Sequence, residues 1–318
     1  LRDIDLDELE RQANVSELAQ YRFLRVGHRG ASGHATDNTL TALRKAVELG
    51  AHAAEIDVQR TRDGQVVVVH DAYLHATDGR LLPIGSSTLA ELQAVVLPGD
   101  EHVPTLEEVL DLAREIRLGL YIEIKDGGSV RPLVATLRER GLLDQVMVGS
   151  FRPDWVAEAK GQAPELKTSI LFSSRHIDPV ALAKGVGATY VHPCWGADPD
   201  HPEESLTPEW VARMRAEGLG IIIWHEEHPD VIAHLRALGV DGVCSDLPER
   251  LIAQQPLGLP EYRTHHVRLF DNAISVKLGL DQILGGAWVN VHGFTSLRLE
   301  KWSDSRIPSA TTPFRTIV

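Results

Sequence analysis

The chain has little sulfur, few aromatic residues, no long apolar run and no excess of positive charge. Its 318 residues include two cysteines and two methionines, and aromatic residues make up 5%. Two cysteines cannot build the disulfide framework of a small secreted scaffold. Cys194 and Cys244 each end a short apolar run, which predicts buried free thiols. No stretch approaches the roughly 18 consecutive apolar residues of a membrane-spanning helix. The N-terminus also lacks the basic-then-apolar layout of a secretory signal, so the expected location is cytoplasmic. The first residue is Leu1 rather than Met, and the chain is read as trimmed or partial. A formal net charge of −13 argues against nucleic acid or an anionic membrane as the main partner, because both require a basic footprint. It leaves a phosphate substrate open, since a bound cation inverts the local field. A dinucleotide fingerprint is missing as well. The glycines of Gly27-His28-Arg29-Gly30-Ala31-Ser32-Gly33 have the wrong spacing and enclose a charged residue, which counts against a doubly wound nucleotide fold.

What is present reads as an ordinary globular composition, 43% apolar and 24% charged. The most informative stretch runs from Glu55 to Asp71. Side chains alternate across an extended strand, so Glu55 and Asp57 share one face while Ile56 and Val58 take the other. Asp63-Gly64 is a two-residue hairpin signal. A turn there pairs residues whose numbers sum to 127 (63 with 64), which sets His70 opposite Asp57. Two carboxylates and an imidazole at one rim suit a hard divalent cation beside a general acid or base.

Along the chain, residues 2–20 read as an amphipathic helical lead-in and residues 23–257 as the main domain. Eight strand signals begin near residues 24, 53, 120, 146, 168, 189, 219 and 241, most followed by a helical segment. Asp37 or Asn38 is expected to cap the helix that ends at Gly50, Thr105 the helix over 106–116, and Pro248 to Gln254 a last helix. The Val66 to His70 segment returns antiparallel from the hairpin and cannot be a member of a parallel barrel. The expected fold is therefore α/β, a (β/α)8 TIM-like barrel with a β-hairpin excursion after the second strand and the site on its C-terminal rim. The strand-helix rhythm stops in residues 258–318, read as a C-terminal extension of unknown structure.

Three strand ends converge: His28-Arg29, then Glu55 and Asp57 with His70, then Glu123 and Lys125. Here the sequence resembles the glycerophosphodiester phosphodiesterase family. That family's pattern is His-Arg-Gly, Pro-Glu-Asn-Thr, Glu-x-Asp, a Lys/Arg-Asp-Gly turn, His-Asp, and Glu-x-Lys. The chain shows His28-Arg29-Gly30, Asp37-Asn38-Thr39, Glu55-x-Asp57, Arg62-Asp63-Gly64, His70-Asp71 and Glu123-x-Lys125. Later come Trp224 at a strand end and Gly239-Val240-Asp241-Gly242 with Ser245-Asp246-Leu247-Pro248, similar to the family's closing motifs. Together they cover roughly residues 23–254, and their order carries more than any single motif.

The resemblance implies hydrolysis of a small-molecule glycerophosphodiester to sn-glycerol 3-phosphate and an alcohol such as choline or ethanolamine. It implies His28 and His70 as acid and base, and Glu55, Asp57 and Glu123 around one Mg²⁺ or Ca²⁺. Arg29 and Lys125 would meet the phosphate, Trp224 the glycerol or leaving alcohol, and Asp37 and Asn38 would support the site. Two departures stand out. Asp37 replaces a glutamate and the preceding proline is absent, which shortens the reach of that acid. His225 and Glu226 replace the small and apolar residues that commonly follow the tryptophan. A lysophospholipase D or cyclising phospholipase on the same barrel is the neighbouring reading, and a non-catalytic phosphodiester-binding barrel the alternative of another class. The oligomeric state is not legible.

Overall fold

The protein is described by a computed structural model. It covers residues 23–76, 79–174, 176–194 and 206–252 with side chains, and the backbone of strands within 262–317. The expected helical lead-in, residues 2–20, lies outside the described residues. Cα packing divides the chain into two units, Leu1–Ala253 and Gln254–Val318.

In the first unit, eight parallel strands close on themselves. They are β1 (Leu24–Gly27), β2 (Ala53–Arg60), β6 (Gly119–Ile124), β7 (Val146–Ser150), β8 (Lys167–Phe172), β9 (Tyr190–Pro193), β10 (Gly220–Ile223) and β11 (Gly242–Ser245). Each pairs with the next in that order, and β1 pairs with both β2 and β11, so no parallel edge is left open. Helices α1 (Leu40–Glu48), α3 (Leu106–Ile116), α4 (Val130–Glu139), α5 (Pro153–Gln162), α6 (Pro179–Val186), α7 (Pro208–Ala216) and α8 (Pro229–Leu238) alternate with them. Between β2 and α3 the excursion carries β3 (Val66–Val68), a ribbon of β4 (Tyr73–His75) and β5 (Leu81–Pro83), and α2 (Leu89–Gln93). The expected barrel and its hairpin excursion are what the chain forms.

Period two in the strands decides what faces what. Outward-facing Ile56, Ile122 and Val148 pack with Leu110, Leu133 and Val134 of the helices, while Ile170, Val191, Ile221 and Val243 pack with Val180, Met214 and Leu235. Inward-facing Leu24, Val26, Tyr121, Met147, Leu171, Ile222 and Cys244 fill the barrel. Each such aliphatic chain contributes about 1.5–3 kcal/mol on full burial. Continuing the inward series toward the C-terminal ends reaches His28, Glu55, Asp57, Glu123, Trp224 and Asp246. The alternation that builds the core therefore also aims the polar residues. Gly149 leaves room for this layer: a Cβ there would lie 2.5 Å from the Tyr121 hydroxyl.

Three local expectations need correction. The hairpin has a three-residue loop, Arg62-Asp63-Gly64, closed by Thr61 N–H donating to Gln65 O and Gly64 N–H donating to Thr61 O. Gly64 takes the left-handed conformation (φ 87°) that ends such a loop. Paired residue numbers consequently sum to 126 (58 with 68, 59 with 67, 60 with 66), one less than the two-residue turn requires. Asp57 stands opposite Val69, whose N–H donates to Asp57 O. The cap of α1 is Thr39, whose hydroxyl accepts Ala42 N–H, because Asp37 and Asn38 are engaged in the site. The expected last helix is a single 3-10 turn, Pro248–Leu251, among the described residues. Thr105 caps α3 as expected, in a capping box with Glu108.

The second unit contains strands where no regular signal was read. β12 (Tyr262–Leu269) pairs antiparallel with β13 (Asn272–Gly279), and β14 (Ala287–Val291), β15 (Phe294–Lys301) and β16 (Phe314–Ile317) form a three-stranded antiparallel sheet.

Candidate active site

The rim begins with a left-handed kink. After β1, Arg29 (φ 50°) and Gly30 (φ 85°) reverse the chain. The kink turns the Arg29 N–H onto Glu55 Oε2 at 3.0 Å. The Arg29 guanidinium then reaches two acids: Nη1 donates to Asp37 Oδ2 at 3.0 Å, and Nε stands 3.4 Å from Asp57 Oδ2. Asp37 therefore spans the distance to Arg29 despite its missing methylene. Asn38, also left-handed at φ 58°, clasps Asp57 from both sides. Its Nδ2 donates to Asp57 Oδ2 at 2.8 Å and its Oδ1 accepts Asp57 N–H at 3.1 Å.

Glu55, Asp57 and Glu123 are each buried and each presents a carboxylate oxygen within 4.8 Å of the others. Lys125 stands over two of them, 2.6 Å from Glu123 Oε1 and 3.3 Å from Asp57 Oδ1. Burial works against the charge on every carboxylate here, and the neighbours decide the outcome. Burial raises Asp57, but Lys125 and Arg29 outweigh it and hold its carboxyl below the ordinary value. Glu55 goes the other way, pushed well up by burial and then by the charges of Asp57 and Glu123. Glu123 is pushed up to about 7 by burial, with Lys125 opposing. Glu55 Oε1 is buried without a hydrogen-bond partner. An all-oxygen set with one orphaned buried oxygen fits a hard divalent cation.

His28 closes the opposite side. Its Nδ1 lies 2.6 Å from Asp246 Oδ1, which also accepts the Ser32 hydroxyl at 2.7 Å. A carboxylate acceptor on Nδ1 places the imidazole proton there and leaves Nε2 as the acceptor. Nε2 faces Glu55, with Oε2 at 4.0 Å. Burial lowers the His28 pKa, and the bond to Asp246 only partly restores it. Trp224 packs edge-on against the His28 ring, centroids 5.4 Å apart.

His70 reaches the rim by a different route from the one its sequence position suggests. It is not Asp57's ladder partner. The chain leaves the ladder after Val68, and the Gln59 side-chain amide donates to the carbonyls of Val69, His70 and Asp71, holding the departing backbone. The ring is one-third exposed, Nδ1 is 2.7 Å from Asp71 Oδ1, and its charge is among those that lower the Asp57 carboxyl.

The structure thus gathers His28, Arg29, Asp37, Asn38, Glu55, Asp57, Glu123, Lys125 and Trp224 around one mouth, with His70 at its edge. Four residues at or beneath the site lacked an assigned role in the sequence. Asp246 was visible only as part of the Ser245-Asp246-Leu247-Pro248 motif, and its contact with His28 spans 218 positions. His225, which the sequence marks only as a departure after the tryptophan, has its ring centroid 5.1 Å from that of His28. Tyr121 and His192 pair inside the barrel, hydroxyl to Nδ1 at 2.6 Å, with burial holding His192 neutral at a pKa of about 3. Cys194 and Cys244 are buried free thiols, as expected. No helix among the described residues is long and apolar enough to cross a membrane.

Comparison with known proteins agrees with the geometry. The model of the glycerophosphoryl diester phosphodiesterase family matches residues 28–250. The chain is 30% identical to a glycerophosphodiester phosphodiesterase of Caldanaerobacter subterraneus subsp. tengcongensis over 239 residues, 71% of this chain and 95% of that protein. It is 29% identical to a Bacillus subtilis glycerophosphodiester phosphodiesterase, covering 73% and 86% of the two chains. Among solved structures, a putative glycerophosphoryl diester phosphodiesterase from Silicibacter pomeroyi superposes with a TM-score of 0.63 at 27% identity, covering 72% of this chain and 92% of that one. The family match runs from residue 28, just past β1, to residue 250, well over half of the chain, and on that ground the chain belongs to the glycerophosphoryl diester phosphodiesterase family and is an enzyme of its phosphodiester hydrolase class.

Proposed function

We propose that the chain hydrolyses glycerophosphodiesters, such as glycerophosphocholine and glycerophosphoethanolamine, to sn-glycerol 3-phosphate and the free alcohol, with a divalent cation and two histidines. The observation that carries this reading is the convergence of three buried carboxylates, two cations and an oriented imidazole at the C-terminal mouth of the barrel.

Glu55, Asp57 and Glu123 would hold the cation, Mg²⁺ or Ca²⁺, with the orphaned Glu55 Oε1 among the donors. When bound, the cation supplies Lewis acidity and cancels phosphoryl charge. Arg29 supports the phosphate with a planar donor fork and Lys125 with a point charge. His28, neutral and with Nε2 free to accept, removes the proton from the attacking hydroxyl of the substrate or of water. His70 delivers a proton to the departing oxygen from the other edge. Trp224 walls the side of the mouth beside His28. Asn38 keeps Asp57 fixed, and Asp37 keeps the guanidinium aimed.

The test is release of sn-glycerol 3-phosphate from glycerophosphocholine with Mg²⁺, Ca²⁺ or excess chelator, for the wild type beside His28→Ala and Glu55→Ala. Cation-dependent release that both substitutions abolish is the expected result. Release that persists in chelator, or in either variant, overturns the assignment. A transient cyclic phosphate in the products would identify a glycerol hydroxyl, rather than water, as the first nucleophile.

A further inference from the structure

Beside the carboxylate triad lies a second cluster of different chemistry. His28, His225 and Asp246 each offer a ligand atom, and the three atoms lie within 4.8 Å of one another. His225 follows directly on the rim tryptophan, Trp224, at the end of β10. Nδ1 of His225 is buried and has no hydrogen-bond partner. The nearest acid, Glu227 Oε1, is 3.5 Å away and already accepts the Asp246 N–H at 3.1 Å. The His225 ring is held between Trp224, at 4.8 Å between centroids, and His28. An orphaned imidazole nitrogen is thus packed against a second imidazole and a carboxylate.

We propose that His28, His225 and Asp246 form a binding site for a borderline-soft divalent cation of the Zn²⁺ type, separate from the triad, and that its occupation withdraws His28 from acid-base work. Two imidazoles and one carboxylate are the donor set of three-ligand tetrahedral sites that keep one position open. Mg²⁺ and Ca²⁺ prefer oxygen and belong to the triad. Donors of a tetrahedral site stand about 3.3 Å apart, so the His28 Nδ1–Asp246 Oδ1 pair, now at 2.6 Å, opens by less than about 1 Å, while the His225 ligand atom, within 4.8 Å of the other two, closes by at most about 1.5 Å, both within reach of rotamer adjustment. His28 Nδ1 and Asp246 Oδ1 now share a proton across 2.6 Å. The metal takes the place of that proton, which moves through solvent to Nε2, so the imidazole stays neutral. The tautomer is reversed: Nε2 becomes a donor facing Glu55 and no longer accepts. Excess Zn²⁺ therefore inhibits, and this part of the inference rests on the reading of His28 as a base.

Co²⁺ is the probe, added to the full chain in excess Mg²⁺. A tetrahedral two-histidine site gives intense visible absorption, whereas an all-oxygen octahedral site gives a weak spectrum. One intense-absorbing Co²⁺ per chain is expected, retained in Glu123→Gln. In His225→Ala, affinity for it is expected to fall on the order of 100-fold. His225 is partly exposed on the rim, and Asp246→Asn, of equal size, is the second variant and loses the same band. Only weak octahedral absorption, or a band unchanged in both variants, overturns the proposal. These spectra do not depend on turnover, so a failure here is distinct from a failure of the phosphodiesterase reading. In the activity arm, Zn²⁺ inhibits Mg²⁺-supported hydrolysis by the wild type, and His225→Ala raises the inhibiting concentration by the same factor.

Discussion

Asp246→Asn tests the assignment of His28 most directly, because it changes a charge and almost no volume. Asp246 Oδ1 accepts both the His28 imidazole and the Ser32 hydroxyl. A charge-assisted hydrogen bond contributes about 1.5–3 kcal/mol and a neutral one about 0.5–1.5, so the substitution removes about 1–2 kcal/mol of orientation. Ser32 requires an acceptor at that position, which favours the amide oxygen over the amide nitrogen facing His28 and preserves the tautomer. The loss in kcat/KM is then about 5- to 30-fold. Because the Asp246 side chain is about one-third open to water, the lower half of that range applies. If the amide turned its nitrogen to His28, the proton would move to Nε2 and losses of about 10⁴ would follow. The pH profile carries a second signature. Asp246 raises the His28 pKa against the effect of burial. Removing its charge lowers that pKa further, and a base acts only when neutral, so the acid limb of kcat/KM moves to lower pH as the plateau falls. The assay is kcat/KM for glycerophosphocholine across pH at saturating Mg²⁺. A plateau within about twofold of the wild type, or an acid limb displaced to higher pH, refutes the role given to His28.

The cation site itself is pH-linked. Glu123, held up to about 7, keeps a proton at acidic pH that the cation must displace. Apparent Mg²⁺ affinity should therefore fall about tenfold from about pH 8 to pH 6, measured by isothermal titration, and a flat profile would sink this account. Asn38→Ala leaves Asp57 without two buried hydrogen bonds and puts alanine at φ 58°. It should destabilise by about 2–4 kcal/mol in urea unfolding. Asp37→Ala breaks a half-buried pair with Arg29 whose aspartate side is open to water, and should cost about 1 kcal/mol of stability while raising KM. Asp37→Glu should leave both nearly unchanged, since aspartate already reaches the guanidinium. Gly149→Ala drives a methyl onto the Tyr121 hydroxyl inside the barrel and should destabilise by about 1–3 kcal/mol, read as a lowered Tm.

Much of this site was legible in one dimension because strand alternation is a local rule. Once Glu55 and Asp57 are seen on a strand with Ile56 and Val58 between them, their common face follows from backbone geometry alone. The same holds for Tyr121, Glu123 and Lys125. Eight strand signals in alternation with helices left few closed topologies, and the C-terminal rim then located the mouth. His70 shows where local rules stop. A turn of two residues and a turn of three both satisfy Asp63-Gly64, and the difference moves every cross-strand partner by one. Thr61 decided it, by donating its N–H to Gln65 and receiving the Gly64 N–H. Gln59 then brought the His70 backbone to the rim by a contact that no periodicity encodes.

By itself the sequence determined the strand-helix order, which side chains share a face on β2 and β6, and the kinds of side chain at the strand ends. It could do so because each depends on residues a few positions apart. The tertiary structure alone decided the hairpin register, the coupling of His28 to Asp246 and Ser32, the approach of His225, and which carboxylates are raised or lowered. These depend on closure of the barrel, which brings β1 beside β11 across more than two hundred residues and shuts water away from charges whose pKa values are set by how little of it is left.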